Sequence, residues 1–144
     1  MPTFTEYVAD PRTLPAFYWA GTPAGADVAI AAGGTYYDAA TLGTLQPGLY
    51  LVSGQISFLN GAGAAGFATA KLLFGTVVLA SGEASTIATT GETQITVGPI
   101  AVNIAIAGVV KLQGSNTQIG TIKNVTVSNG TPGNCTFIQA IRLK

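Results

Sequence analysis

The stretch "GLYLVSGQISFL", Gly48–Leu59, decides how this chain is read. Tyr50, Val52, Ile56 and Phe58 fall on one side, and Ser53, Gln55 and Ser57 on the other. That period of two is the period of a β-strand with one buried face. Pro47-Gly48 places a turn before it. Directly after it, "NGAGAAG" (Asn60–Gly66) spells G-x-G-x-x-G with Gly61, Gly63 and Gly66. A strand leading into such glycines starts a dinucleotide site only when a helix follows, because the helix N-terminal N–H groups hold the pyrophosphate. Here "FATAKLLFGTVVLASG" (67–82) follows, β-like and interrupted by Gly75, and no βαβ unit leads on to Glu83. The context argues against nucleotide binding, and Asn60–Gly66 reads as a loop between antiparallel strands.

Outward from this strand the same period continues. "TYYDAATL" (35–42) is a short strand, and 67–82 is a hairpin turning at Phe74-Gly75-Thr76 or one bent strand. "EASTIATT" and "GETQITVG" follow, joined near Gly91. "AVNIAIAGVVKLQ" (101–113) reads as one long strand, with Val102, Ile104, Ile106, Val110 and Leu112 on one face and Gly108 as a place to bend. "QIGTIKNVTVSN" (118–129), a turn cluster "NGTPGN" (129–134) and the closing strand "CTFIQAIRLK" complete the chain. No segment shows a capped 3.6-residue period. Some eight to ten short strands predict an all-β fold, an antiparallel β-sandwich or jelly roll, over residues 35–144.

Residues 1–34 read differently. They hold four of the seven prolines, at Pro2, Pro11, Pro15 and Pro23, and the sole tryptophan. Proline breaks helices and central strands, so the expectation is an irregular N-terminal arm. Its aromatics Phe4, Tyr7, Phe17, Tyr18 and Trp19 either fold back on the domain or dock on another subunit, where Trp and Tyr serve as anchors.

Charge is the most unusual property. Only 8% of the 144 residues are charged, net charge is zero and mean hydropathy is +0.46, where about 25% charge is ordinary. Six cations and six acids cannot keep a whole small surface well ionised. The inference is that other protein covers much of the outside. The cations Arg12, Lys71, Lys111, Lys123, Arg142 and Lys144 are scattered, which gives neither the clustered charge of a nucleic-acid surface nor a polybasic membrane anchor. The first fifteen residues contain acids and prolines and no apolar core, so they do not read as a secretory signal. The most apolar window, Ile95–Val110, contains Pro99 and Asn103 and is too short for a membrane helix. A soluble chain made in a cytoplasm is expected, which leaves the three N-x-[ST] sequons at Asn124, Asn129 and Asn134 as products of a Thr-rich composition.

The catalytic inventory is thin. There is no histidine, so Ser-His-Asp and Cys-His sets are excluded, as are zinc sites that use histidine. Cys135 stands alone, which rules out an internal disulfide and suits a small buried hydrophobe. Glu6, Asp10, Asp27, Asp38, Glu83 and Glu92 form neither a calcium loop nor an evident glycosidase pair. No enzyme activity, cofactor or metal is expected.

Three segments together resemble the C1q/TNF-like jelly-roll superfamily, especially its bacterial and phage members. "PGLYLVSGQISF" (47–58) is similar to that superfamily's G-x-Y-x-(V/F)-x-(A/G)-x-(I/V)-x-F strand. "VNIAIAGVVKLQGSNTQI" (102–119) resembles its G-(I/V)-V-x-L run, and "CTFIQAIRLK" (135–144) its closing T-F-x-x-(A/G)-x-(R/K)-L strand. The resemblance implies a compact homotrimer of jelly-roll protomers about a three-fold axis, with Tyr50 or Phe137 at the core or at the axis. With the missing catalytic set it implies a virion structural protein, a capsid decoration (cement) trimer bound to the major capsid protein on the capsid surface and assembled in the host cytoplasm. The alternative is the receptor-binding tip of a phage tail fibre or spike.

Overall fold

The structure is a computed structural model, and it describes residues 17–21, 26–61, 63–87, 91–124 and 135–143. Among them are ten strands: β1 (Phe17–Gly21), β2 (Val28–Ile30), β3 (Tyr37–Thr41), β4 (Gly48–Asn60), β5 (Gly66–Phe74), β6 (Val77–Thr86), β7 (Glu92–Ile104), β8 (Val110–Asn116), β9 (Gly120–Lys123) and β10 (Phe137–Arg142). They form two antiparallel sheets, β1-β10-β4-β9-β2 with β7 also paired to β4, and β3-β8-β5-β6. The expected all-β antiparallel sandwich is what forms.

The central strand β4 behaves as its alternation predicts. Tyr50, Val52, Ile56 and Phe58 are fully buried between the sheets. From the other sheet they meet Ala68, Ala70 and Leu72 of β5 and Val110 and Leu112 of β8. The Tyr50 hydroxyl donates to the Gln46 carbonyl at 2.8 Å, so its polar end is satisfied inside an apolar core. This settles Tyr50 as core. The hairpin at Phe74-Gly75-Thr76 forms as β5–β6, with Gly75 at φ +59° supplying the left-handed turn position.

Two readings change. Residues 17–21 and 28–30, read as part of an irregular arm, are strands. Pro15 and Pro23 lie outside β1, and within it Tyr18 and Ala20 pack on the core while the backbone pairs with β10. Residues 101–113 are two strands and not one. β7 ends at Ile104, β8 starts at Val110, and Ile106 between them is 77% exposed. The chain there crosses from one sheet to the other, and Gly108 makes room for the Phe74 ring and pairs with Leu45. Both halves keep the same parity, so alternation alone could not reveal the crossing. Asn60–Gly66 connects two strands as read, and strand β5 of the second sheet follows it where a phosphate-binding helix would have to start. Asn60 Nδ2 donates to the Ala64 and Ile87 carbonyls, both at 2.9 Å, and so ties this loop to the chain leaving β6.

On one edge β4 is served by β10 at Tyr50–Gln55 and by β9 at Ser57–Asn60. Thr136, fully buried, joins the two. The Ser57 N–H donates to Thr136 Oγ1 at 3.1 Å, and that hydroxyl donates to the Lys123 carbonyl at 2.7 Å. One side-chain hydroxyl thus satisfies two backbone groups at the break in the ladder.

Candidate functional site

The outward face of the six-stranded sheet follows from strand register. Across β1, β10, β4 and β7 one row reads Phe17, Ile141, Leu51, Ala101. The next reads Trp19, Gln139, Ser53, and the one after it Gly21, Phe137, Gln55, Thr96. None of these side chains is ionisable. Phe17 is 61% exposed and Trp19 48% exposed.

The charged residues lie elsewhere. Eight are described. Lys71, Lys111, Asp38 and Glu83 occupy the outer face of the four-stranded sheet. There Lys111 Nζ lies 2.6 Å from Asp38 Oδ2, Gln113 Nε2 donates to Asp38 Oδ1 at 2.7 Å, and Lys71 Nζ sits 3.4 Å from the Tyr36 ring centre. Burial would raise the Asp38 carboxyl, but hydrogen bonds from Lys111 and Gln113 with the Lys111 charge hold it below its ordinary value. Asp27, Lys123 and Glu92 gather at the β9 end of the six-stranded sheet, where Lys123 pairs with Asp27 and Ser57 Oγ donates to Glu92 at 2.6 Å. Arg142 lies at the end of β10 and donates to the Pro47 carbonyl at 2.8 Å. Among the described residues, the outward face from β1 across β10 and β4 to the Thr96–Ala101 part of β7 carries no charged side chain.

A depression of about 280 Å³ lies within that region, lined by Leu51, Ser53, Gly54, Thr96, Pro99, Phe137, Gln139 and Ile141. Its cause is a β-bulge. Val52 pairs with Ile100 but Gly54 pairs with Val97, so Gly98 and Pro99 together oppose Ser53. Gly98 takes φ +86°, and a Cβ there would stand 2.6 Å from the Val52 carbonyl oxygen, so only glycine fits. The bulge also flips the phase of β7: Ile95 and Val97 face inward before it, Val102 and Ile104 after it. Gln139 Nε2 donates to Ser53 Oγ at 3.0 Å across the floor.

Of the five aromatics expected to make contacts, the structure places two on this face. Phe17 and Trp19 point outward. Tyr18 alternates inward and meets Tyr50 edge-on, with ring centres 6.1 Å apart. Phe4 and Tyr7 lie outside the described residues. Phe137 belongs to the outward face and not to the core. Sequence reasoning passed over Leu51, Ser53, Pro99, Gln139 and Ile141. The available signal was that β10, "FIQAIR", carries apolar residues on both parities, Phe137 and Ile141 on one and Ile138 and Ala140 on the other.

Among the described residues no three of His, Cys, Asp and Glu gather to hold a metal. Burial raises the Cys135 thiol, and Glu92 and Asp27 push it the same way, so the reactive thiolate is disfavoured.

No family model and no curated protein sequence matches this chain. Solved structures do. Eiger TNF from S. frugiperda superimposes with a TM-score of 0.60 at 10% identity, over 91% of this chain and 94% of that one. The fold is a TNF-like jelly roll. Murine APRIL agrees in two crystal structures. At pH 5.0 the TM-score is 0.56 at 8% identity, and at pH 8.5 it is 0.52 at 7% identity, each over 90% of this chain and 99% of APRIL. At such identities the likeness is one of architecture, and function has to be argued from the surface.

Proposed function

We propose that this chain is a non-enzymatic structural protein that forms a homotrimer through the uncharged face of its six-stranded sheet and decorates a viral capsid as a cement subunit. The observation that carries the reading is the aromatic-bearing face from β1 to the Thr96–Ala101 part of β7, which holds no charge among the described residues. Charged residues are depleted and aromatics enriched at the centres of protein interfaces, and this face has both properties in a chain that is poor in charge everywhere. A trimer is also what the sequence resemblance implies. Contact with the shell then falls to surfaces left outside the trimer and to the segment before β1 with Phe4 and Tyr7.

The test mixes the purified protein with capsids that lack it. Stoichiometric rebinding with a higher capsid melting temperature is expected. Failure to rebind, together with adsorption to host cells, would replace this reading with that of a receptor-binding fibre or spike tip.

A further inference from the structure

We infer that Trp19 of one chain seats in the depression on the outward face of a second copy, so that plug and hole come from different subunits. This rests on the homo-oligomer reading and adds its central contact. Plug and hole are neighbours on one face: Trp19 stands on the edge strand β1 across from Gln139, and the hole runs from there over β10 and β4 to the β7 bulge. Within its own chain the indole leans over Gly21, with Cη2 3.3 Å from where a Gly21 Cβ would stand, and it does not line the hole. It is left 48% exposed, an unusual condition for the residue type most often found at the centre of an interface.

The hole suits an indole in size and chemistry. A cavity of about 150 Å³ in another protein takes benzene, so about 280 Å³ admits the larger bicyclic ring. Leu51, Phe137, Ile141 and Pro99 supply apolar walls. Gln139 spends its Nε2 on Ser53, which leaves Oε1 to accept from the indole N–H that a buried tryptophan needs to satisfy. The second copy is the fitting occupant because its matching face is equally uncharged, so neither surface buries an unpaired ion. A plug and a hole at different positions on one face fit a reciprocal two-fold contact or a heterologous one, and the heterologous one closes into the proposed three-membered ring when the rotation permits.

Trp19 is the sole tryptophan, so its fluorescence reports this contact alone. In the wild-type oligomer we expect blue-shifted emission that acrylamide quenches several-fold less than after dilution to single chains. Trp19→Ala should weaken assembly at least about 30-fold, the equivalent of a hot-spot residue. Ser53→Phe fills the hole and keeps the plug, so its tryptophan should be exposed in isolation. Adding Trp19→Ala chains, which lack a tryptophan but keep the hole, should then shift the Ser53→Phe emission to the blue. Sedimentation and circular dichroism of each sample check assembly and folding. An oligomeric wild type whose tryptophan quenches like free indole would overturn the inference and leave the oligomer standing, as would the absence of any shift on mixing two folded variants. If Trp19→Ala does not fold, the wild-type and Ser53→Phe emission decide the matter. A wild type that remains a single chain at all concentrations would remove the oligomer reading as well.

Discussion

In the proposed trimer, a charge placed on the uncharged face should dissolve the assembly without unfolding the chain. Thr96 is the position of choice, because it is exposed in the single chain and lines the depression. A carboxylate from Thr96→Glu is therefore hydrated in the monomer and should alter its stability by no more than about 0.5 kcal/mol. In the covered face the same carboxylate loses its water with no cation beside it: Thr96 pairs with Gln55, and the charged cluster of Lys123, Asp27 and Glu92 lies further along β4 and β7. The effective penalty for burying an ion is several kcal/mol. Taking about 2 kcal/mol for a rim position that keeps some solvent, three subunits lose about 6 kcal/mol, or about 10⁴-fold in the trimerisation constant. The sign with pH follows. Covering raises the carboxyl's pKa above its free value of about 4.3. Assembly is then complete below that value, where the group is neutral in both states, and is lost as pH rises through the raised one. Thr96→Gln has the same size and no charge, and should assemble at both pH values. Sedimentation velocity at pH 7.5 and pH 4 reads the difference. If Thr96→Glu and Thr96→Gln sediment alike as oligomers at pH 7.5, this face is not the covered one.

Three further outcomes test the fold that presents this face. Thr136→Val keeps the shape of a fully buried side chain but strands the Ser57 N–H and the Lys123 carbonyl, so urea unfolding should show a loss of about 2–4 kcal/mol at unchanged slope, with Thr136→Ser far milder. Gly98→Ala forces a side chain into φ +86° and against the Val52 carbonyl, and should cost more than about 2 kcal/mol, whereas Gly63→Ala, with open space around it, should be close to neutral by thermal melting. Asp38→Asn removes a half-exposed pair and should cost less than about 1 kcal/mol. Because the Asp38 pKa is depressed, that contribution is present above the ordinary carboxylate value and fades as pH falls through the folded one; a pH series of melts on wild type and Asp38→Asn should converge at low pH.

The alternation of Gly48–Leu59 was enough to predict β4 and its buried set, because strand periodicity is local, while Gly75 left a hairpin or one bent strand open until β5 and β6 paired. The poverty of charge was equally plain, and it raised the expectation that some surface is covered without saying which. Four things were not legible. β1 was hidden by its flanking prolines, since the gain that makes it a strand comes from pairing with β10, 116 or more residues away in register at Gly21 and Phe137. The turn between β7 and β8 was hidden because both strands share one parity. The bulge at Gly98-Pro99 showed only as a break in phase, and its consequence, a depression opposite Ser53, exists only when β4 lies alongside. The division of Phe17 and Trp19 outward from Tyr18 inward required the sheet to define its two sides.

The amino-acid order by itself therefore determined which segments extend, where several turns fall, and that too few ions exist to coat a solitary domain. Tertiary structure alone decided where those ions go. Register across β1, β10, β4 and β7 aligns uncharged side chains drawn from sequence positions more than a hundred residues apart. Composition is a sum over the chain, whereas a binding face is a pattern in space, and only strand pairing converts one into the other.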